Sequence, residues 1–193
     1  MKLIIASNNA HKIYEIKKIL SGKFDEILSL REAGIDHETV EDGKTFIENA
    51  LKKAREISAI SGECALADDS GICAHALGDE PGIYSARYAG GLEQNASDAL
   101  NNALLLKNLS DKEDKSAHYT SAIALVYPSG KEVTAEGYMY GRIIDTPRGN
   151  RGFGYDPLFV MDGETRTVAE MTDEEKNAVS HRANALKALL NKL

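Results

Sequence analysis

A chain of 193 residues, 42% of them hydrophobic and 27% charged, can bury a core without disulfides or a structural metal and fits one domain. Its net charge of −7 excludes a protein that coats nucleic acid, which needs a broad basic face to displace counterions. A small polyphosphate ligand needs only a few Lys and Arg in one place, so nucleotides stay within reach.

The opening run Met1-Lys2-Leu3-Ile4-Ile5-Ala6 is too short for a signal peptide, and no segment is long and apolar enough to span a bilayer. No repeat, low-complexity tract or linker interrupts 1–193, so a single domain is expected. Residues 2–6 read as a buried strand. Ser7-Asn8-Asn9 breaks it with turn and cap residues, and Ile13, Ile16, Ile19 and Leu20 follow at helical spacing. A second helix opens at Thr45, where Glu48 completes a capping box and Phe46, Ala50, Ala54 and Ile57 form the apolar face. Residues 64–67 make a short apolar strand that runs into an Asp68-Asp69-Ser70-Gly71 turn. A helix over 97–109 turns Leu100, Leu104 and Leu105 inward. Residues 118–127 and 132–140 are β-rich, with Pro128-Ser129-Gly130 as the hairpin between them. A short strand is expected over 158–160. One last helix opens with a capping box from Thr172 to Glu175 and carries Val179, Ala183, Leu186 and Leu190 on one face. Helices intermixed with strands and a hairpin indicate an α/β or α+β fold around a mixed sheet. Cys64 and Cys73 form no C-x-x-C pair and read as buried thiols in a reducing compartment, which makes the cytoplasm the expected location.

Several segments carry possible chemistry, each beside a plainer reading. Ser7-Asn8-Asn9-Ala10-His11-Lys12 lies where strand meets helix; unpaired helix N–H groups and the Lys12 ammonium suit a phosphate, or the segment is a simple cap with a solvated lysine. It lacks the glycines of a P-loop. Asp68 and Asp69 leave a buried strand, where carboxylates are costly unless a cation meets them; Mg²⁺ is one answer, an Asp-rich turn with a left-handed Gly71 the other. Glu41, ahead of the second helix, is a further carboxylate for such an ion or an acid suited to the helix dipole. In Gly152-Phe153-Gly154-Tyr155-Asp156-Pro157, glycines let the backbone approach a flat ligand while Phe153 or Tyr155 stacks on it, or the segment is a structural turn with core aromatics. Lys176, His181 and Arg182 offer cations on the last helix, as ligands or as a solvated face; His181 and Arg182 fall on its flanks. Arg87, in Pro81-Gly82-Ile83-Tyr84-Ser85-Ala86-Arg87-Tyr88, is a more remote phosphate candidate.

Taken in order, these segments resemble the inosine triphosphate pyrophosphatase (XTP/dITP diphosphatase) family across nearly the whole chain. The matching stretches are Ser7-Asn8-Asn9 through Lys12 with Glu15, Thr45-Phe46-Ile47-Glu48-Asn49-Ala50 with Lys53-Ala54, and Ala67-Asp68-Asp69-Ser70-Gly71. They continue with the stretch from Pro81 to Tyr88, then Gly152 to Pro157, then Ala169-Glu170-Met171-Thr172 through Lys176 to Ser180-His181-Arg182. Where the family often has Thr-Gly-Asn, this chain has Ser7-Asn8-Asn9, which keeps the hydroxyl and loses a glycine.

The resemblance implies an elongated α/β fold with a long central mixed sheet flanked by helices, a homodimer, and Mg²⁺-dependent hydrolysis of ITP, dITP and XTP to the monophosphate and pyrophosphate, with no nucleic-acid or membrane partner. It implies that Ser7, Asn8, Asn9, Ala10, His11 and Lys12 grip the triphosphate and that Lys53 and Ser70 also touch substrate. It makes Asp69 the proton acceptor and a metal ligand, with Glu41 the second ligand. Phe153, Gly154, Tyr155 and Asp156 would hold the base, and Lys176, His181 and Arg182 would read its 6-oxo edge. Two rivals remain at this stage. One is a Maf-type pyrophosphatase, against which the Phe153-to-Asp156 and Ser180-His181-Arg182 pairing argues; the other is a non-catalytic nucleotide sensor, which need not keep Asp68, Asp69 and Lys12.

Overall fold

The computed structural model describes residues 1–91 and 94–193. They group into two compact units: Met1–Asp69, Ser121–Gly137 and Arg182–Leu193 form the first, Ser70–Thr120 and Tyr138–His181 the second.

In the first unit, β1 (Lys2–Ile5) leads through an Asn9 cap into α1 (Ala10–Ile19). Strand β1 is parallel to β2 (Glu26–Ser29) on one side, with Ile4 opposite Leu28, and to β3 (Cys64–Ala74) on the other, with Ile4 opposite Ala65. Both faces of β1 are covered, Leu3 and Ile5 by one apolar cluster and Ile4 and Ala6 by another, which explains its unbroken apolar run. The polar stretch around β2 gave no strand signal in the sequence, and the apolar Ile27 and Leu28 are too short a run to show one. Helix α2 (Phe46–Ser61) starts at Thr45, whose Oγ1 accepts the Glu48 N–H at 3.2 Å, and stops at Gly62 in the left-handed region at φ 69°. Its buried Ala50, Ala54 and Ile57 pack with Ile4, Ala65 and Ala67. Ile16 and Leu20 form a second cluster with Leu3, Ile5, Leu66, Leu186 and Leu189.

Among the described residues, seven strands form a mixed sheet in the order β2, β1, β3, then β5 (Ser116–Val126), β6 (Glu132–Ile143) and β7 (Phe159–Met161), with β4 (Glu80–Pro81) paired to β3. Strands β3, β5 and β6 contribute residues to both units. The hairpin between β5 and β6 forms as expected: Gly130, at φ 83°, donates to Tyr127 O at 2.9 Å. In the second unit β7 is antiparallel to β6, with Arg142 opposite Val160. The core there gathers Ile72, Leu105, Leu109, Tyr119, Met139, Tyr155 and Phe159. The fold is a mixed α/β fold, and no helix among the described residues is long and apolar enough to cross a membrane. Cys64 and Cys73 are buried and free.

Three sequence expectations need correction. The strand at Cys64 does not stop at a turn: β3 continues through Asp68, Asp69 and Gly71 to Ala74. A Cβ on Gly71 would run into Gly82 O and Ser85 Oγ, so Gly71 serves close packing rather than a left-handed turn. In α3 (Asp98–Leu109) Leu105 is buried and Leu104 packs partly buried against the core as expected, but the buried stripe is Asn101, Leu105 and Leu109, spaced by four, and Leu100 is 59% exposed. Asn101 takes the inward place because its side chain accepts from Ala89 N and donates to Ala86 O and Ala96 O. Finally, the last helix is two. Ser180, extended at φ −63° and ψ 155°, separates α4 (Asp173–Val179) from α5 (His181–Leu190). That break turns His181 and Arg182 inward, where a continuous helix would hold them on its flanks.

Candidate active site

The first unit assembles a dense charge cluster where β3 passes α1 and α2. Successive residues of a strand point to opposite faces, so Asp68 and Asp69 acquire different neighbours. Asp68, 1% exposed, accepts from Ser121 Oγ and pairs with Lys12 Nζ at 2.9 Å and Arg182 Nη2 at 3.1 Å. Arg182, 0% exposed, also pairs with Glu15. Burial opposes ionisation of Asp68, but the Arg182 and Lys12 charges outweigh it and hold the carboxyl well below the usual carboxylate range.

Asp69 faces the other way. Its Oδ2 accepts from Asn49 Nδ2 at 3.1 Å and its Oδ1 lies 3.4 Å from Lys53 Nζ. Lys53 Nζ also reaches Glu41 Oε1 at 2.8 Å and Asp68 O at 3.0 Å. Burial raises the Asp69 pKa, Lys53 and Lys12 offset this only in part, and Glu41 adds to it. Burial also disfavours the Lys53 charge, but Asp69 and Glu41 more than compensate and keep it protonated. Four carboxylates (Glu15, Glu41, Asp68, Asp69) thus meet three cations (Lys12, Lys53, Arg182) in this cluster. The donor set fits a hard dication: Mg²⁺ takes oxygen ligands, often one or two carboxylates completed by phosphate oxygens, and Glu41 and Asp69 converge on one ammonium.

The start of α1 is organised differently from the expectation. Asn9 Oδ1 already accepts the His11 and Lys12 N–H groups at 3.0 and 3.1 Å, and Ser7 Oγ accepts from Asn9 N at 3.1 Å. Two of the amides expected to face a phosphate are therefore capped from within. Asn8, Asn9, Ala10 and His11 are exposed, and Ser7 and Lys12 are half-buried.

In the second unit, Asp156 is the centre of a buried set. It accepts from Phe153 N at 3.0 Å, from Tyr119 OH at 3.3 Å and from Lys176 Nζ at 2.8 Å. The Lys176 ammonium also sits 4.6 Å from the centroid of the half-buried Phe153 ring. His181 stacks on Tyr119 at 4.6 Å, with 10° between the planes. Gly154 donates to Asp98 at 2.6 Å and accepts from Asn102 at 3.1 Å. Tyr155 belongs to the core, its hydroxyl donating to Ser85 O at 2.7 Å, whereas Phe153, the other candidate ring, is half-buried. Ser70 follows Asp69 on β3 and is half-buried.

The sequence brought forward Lys12, Glu41, Lys53 and Asp69, and the structure places these in one cluster. It did not single out Asn49, Ser121 or Tyr119. Asn49 lies one turn before Lys53 on α2 and also accepts from Gly43 N at 2.8 Å. That spacing was the available signal for it. Ser121 follows Tyr119 and Thr120 in β5, one hydroxyl among several, a weaker sign.

A model of the Ham1 family matches residues 3–192. The chain is 50% identical over 201 residues to a dITP/XTP pyrophosphatase of Clostridium perfringens, covering 100% of this chain and 97% of that one. It is 46% identical over 194 residues to a dITP/XTP pyrophosphatase of Ralstonia nicotianae, covering 100% and 96%. Among solved structures, a HAM1 protein from Coxiella burnetii matches at TM-score 0.88 and 37% identity over 100% of both chains. A nucleoside-triphosphatase / dITP/XTP pyrophosphatase from Mycobacterium abscessus matches at TM-score 0.78 and 47% identity, over 98% of this chain and 99% of that one.

Proposed function

The chain belongs to the Ham1 family, and from that premise we propose that it is a Mg²⁺-dependent pyrophosphohydrolase, which hydrolyses dITP, XTP and ITP to the monophosphate and pyrophosphate and so clears deaminated purines from the nucleotide pool. The observation that carries this reading is the opposite facing of two adjacent aspartates, Asp68 locked between Lys12 and Arg182, Asp69 left beside Glu41 with a raised pKa.

Glu41 and Asp69 would hold Mg²⁺, which when bound neutralises phosphate oxygens. Asp69 takes a proton from the attacking water as its oxygen bonds to the α-phosphorus; the bond from that phosphorus to the bridging oxygen breaks and pyrophosphate leaves. A carboxylate with a raised pKa is the better base for this, because its proton affinity lies nearer neutrality. Lys12 and Lys53 offset charge on the phosphates, and Asn49 fixes the Asp69 carboxylate in orientation. The start of α1 (Ser7, Asn8, Asn9, Ala10 and His11) adds the positive end of a helix dipole, and Ser70 a hydroxyl.

In the second unit, the Phe153 ring stacks on the base and Lys176 and His181 supply donors for a 6-oxo group, with Gly154 and Asp156 shaping the loop. Adenine presents an amino donor there instead, and a donor left facing a donor costs about 1–3 kcal/mol, roughly 5–150-fold in turnover. Arg182 acts by positioning, since its guanidinium is committed to Glu15 and Asp68. We place the enzyme in the cytoplasm as a homodimer that binds neither nucleic acid nor membrane, in keeping with its acidic balance.

The test is pyrophosphate release from ITP, dITP, XTP, ATP and dTTP, with and without Mg²⁺. Turnover selective for the first three, absent without the ion and lost in Asp69→Asn, is the expected result. A preference for dTTP, or tight binding with no turnover, overturns the proposal.

A further inference from the structure

One cluster in the second unit plays no part in the chemistry above. His75 opens a short 3-10 turn, His75–Leu77, directly after β3; His118 lies on β5; Asp79 follows the turn. One donor atom from each residue lies within 4.8 Å of the other two, the only such trio of metal-binding side chains among the described residues. His75 Nε2 and His118 Nδ1 are 2.9 Å apart. Two imidazole nitrogens on a tetrahedral ion, each about 2.0–2.1 Å from it, sit roughly 3.3 Å apart, so little movement would admit one. His75 and Asp79 are exposed and His118 is half-buried, which leaves a path from solvent.

The surroundings hold these side chains in place. His75 Nδ1 lies 2.9 Å from Ser116 Oγ, and the Ser116 N–H donates to Asp114 Oδ1 at 2.8 Å. A hydrogen bond at Nδ1 directs the opposite nitrogen, Nε2, toward the cluster, the usual way in which an outer partner orients a metal-binding imidazole. The Tyr138 and Tyr140 rings flank His118 at 6.0 and 5.5 Å. Asp79 is the one non-glycine residue at positive φ among the described residues, at 68°, and its N–H donates to Ala74 O at 3.1 Å. Aspartate tolerates that backbone region better than most residues, and such outliers concentrate at functional sites.

We propose that His75, Asp79 and His118 bind a first-row transition dication of the zinc, nickel and copper class. Two imidazoles and one carboxylate suit those ions, whereas Mg²⁺ prefers an all-oxygen shell, so the trio selects differently from Glu41 and Asp69. Binding replaces the proton shared between His75 and His118 with the ion and ties the β3 turn to β5.

The experiment titrates the full chain, in excess Mg²⁺, with Co²⁺ as a spectroscopic stand-in for Zn²⁺, following visible d–d absorption and then its loss when Zn²⁺ is added. One Co²⁺ per chain is expected in the wild type and in Asp69→Asn, with affinity at least tenfold weaker in His118→Ala and in Asp79→Asn. Asp79→Asn keeps a residue that accepts positive φ, so the test survives if His118→Ala fails to fold. The proposal is overturned if the wild type saturates only at millimolar Co²⁺, if Asp79→Asn binds as the wild type does, or if Asp69→Asn abolishes the signal.

Discussion

Replacing Arg182 with methionine removes the cation that joins Glu15 to Asp68 inside the first unit. All three side chains are buried, at 0%, 6% and 1% exposure. Without the guanidinium, Asp68 keeps Lys12 at 2.9 Å and Ser121, while Glu15 loses the charge partner it has in Arg182. Breaking a buried pair by removing one partner costs about 3–5 kcal/mol, because a charge stays behind in low dielectric. With a urea m-value of about 2 kcal/mol/M, the unfolding midpoint should fall by roughly 1.5–2.5 M. The pH dependence provides the control. In the wild type the Asp68 pKa is held down, so its contribution is present above the unfolded value near 3.9 and is lost as pH falls through the lower, folded value. In Arg182→Met the largest charge that opposes the burial of Asp68 is gone, and the pKa rises. The gap between variant and wild type should therefore be widest near neutrality and narrow as pH falls through the raised Asp68 value of the variant toward the lower one of the wild type. The triple variant Glu15→Gln, Asp68→Asn, Arg182→Met should lose less than the single one, since the charge it leaves without its Asp68 partner, the Lys12 ammonium, is half-buried rather than fully enclosed as Glu15 is. A loss under about 1 kcal/mol at pH 7, or a gap that does not change with pH, would refute the reasoning.

Asp69→Asn should cut pyrophosphate release by about 10²–10⁴-fold, the usual contribution of a general base. Because burial raises the Asp69 pKa, its ionised form costs stability as pH rises from the unfolded toward the folded value, so in chelator at pH 7.5 the melting temperature of this variant should be at or above that of the wild type; a fall of more than about 5 °C speaks against a strained carboxylate. Asn49→Ala leaves the Gly43 N–H and Asp69 without their shared partner and should lose about 1–3 kcal/mol in urea unfolding. Its kcat should fall more than its KM changes. Gly71→Ala forces a methyl against Gly82 O and Ser85 Oγ, and overpacking of this kind should lower stability by about 1–3 kcal/mol, read as a shift in the urea midpoint.

Much of this protein was legible in its sequence because local rules write short-range structure plainly. The apolar run before Ser7, the Thr172 capping box and the Pro128-Ser129-Gly130 turn each act within a few residues, and each forms where it was expected; at Thr45 the cap forms, but Glu48 turns its carboxylate to the Lys44 N–H rather than closing the box on Thr45. The ordered set of motifs pointed to a pyrophosphatase family, and relatives bearing that name match over the full chain. What local pattern could not reach were consequences of long-range pairing. A strand crossed by neighbours on both sides continues through Asp68 and Asp69 because Arg182, 114 residues away, and Ser121, 53 away, satisfy the first of them. No window of sequence around the Asp-Asp pair contains those partners.

The broken helix at Ser180 follows the same logic. Helical periodicity treats Lys176 to Leu190 as one amphipathic face, and nothing in those letters requires an extended residue in the middle. The break is set by where the side chains must go: Lys176 to Asp156, His181 to Tyr119, Arg182 to Glu15 and Asp68. The sequence by itself determined where β1, α1, α2 and the β5–β6 hairpin form and which residue types could meet a phosphate or a metal. Only the tertiary structure decided which of two adjacent aspartates is locked in an ion-pair network and which keeps a raised pKa, because a buried carboxylate takes its proton affinity from the charges that the fold sets around it.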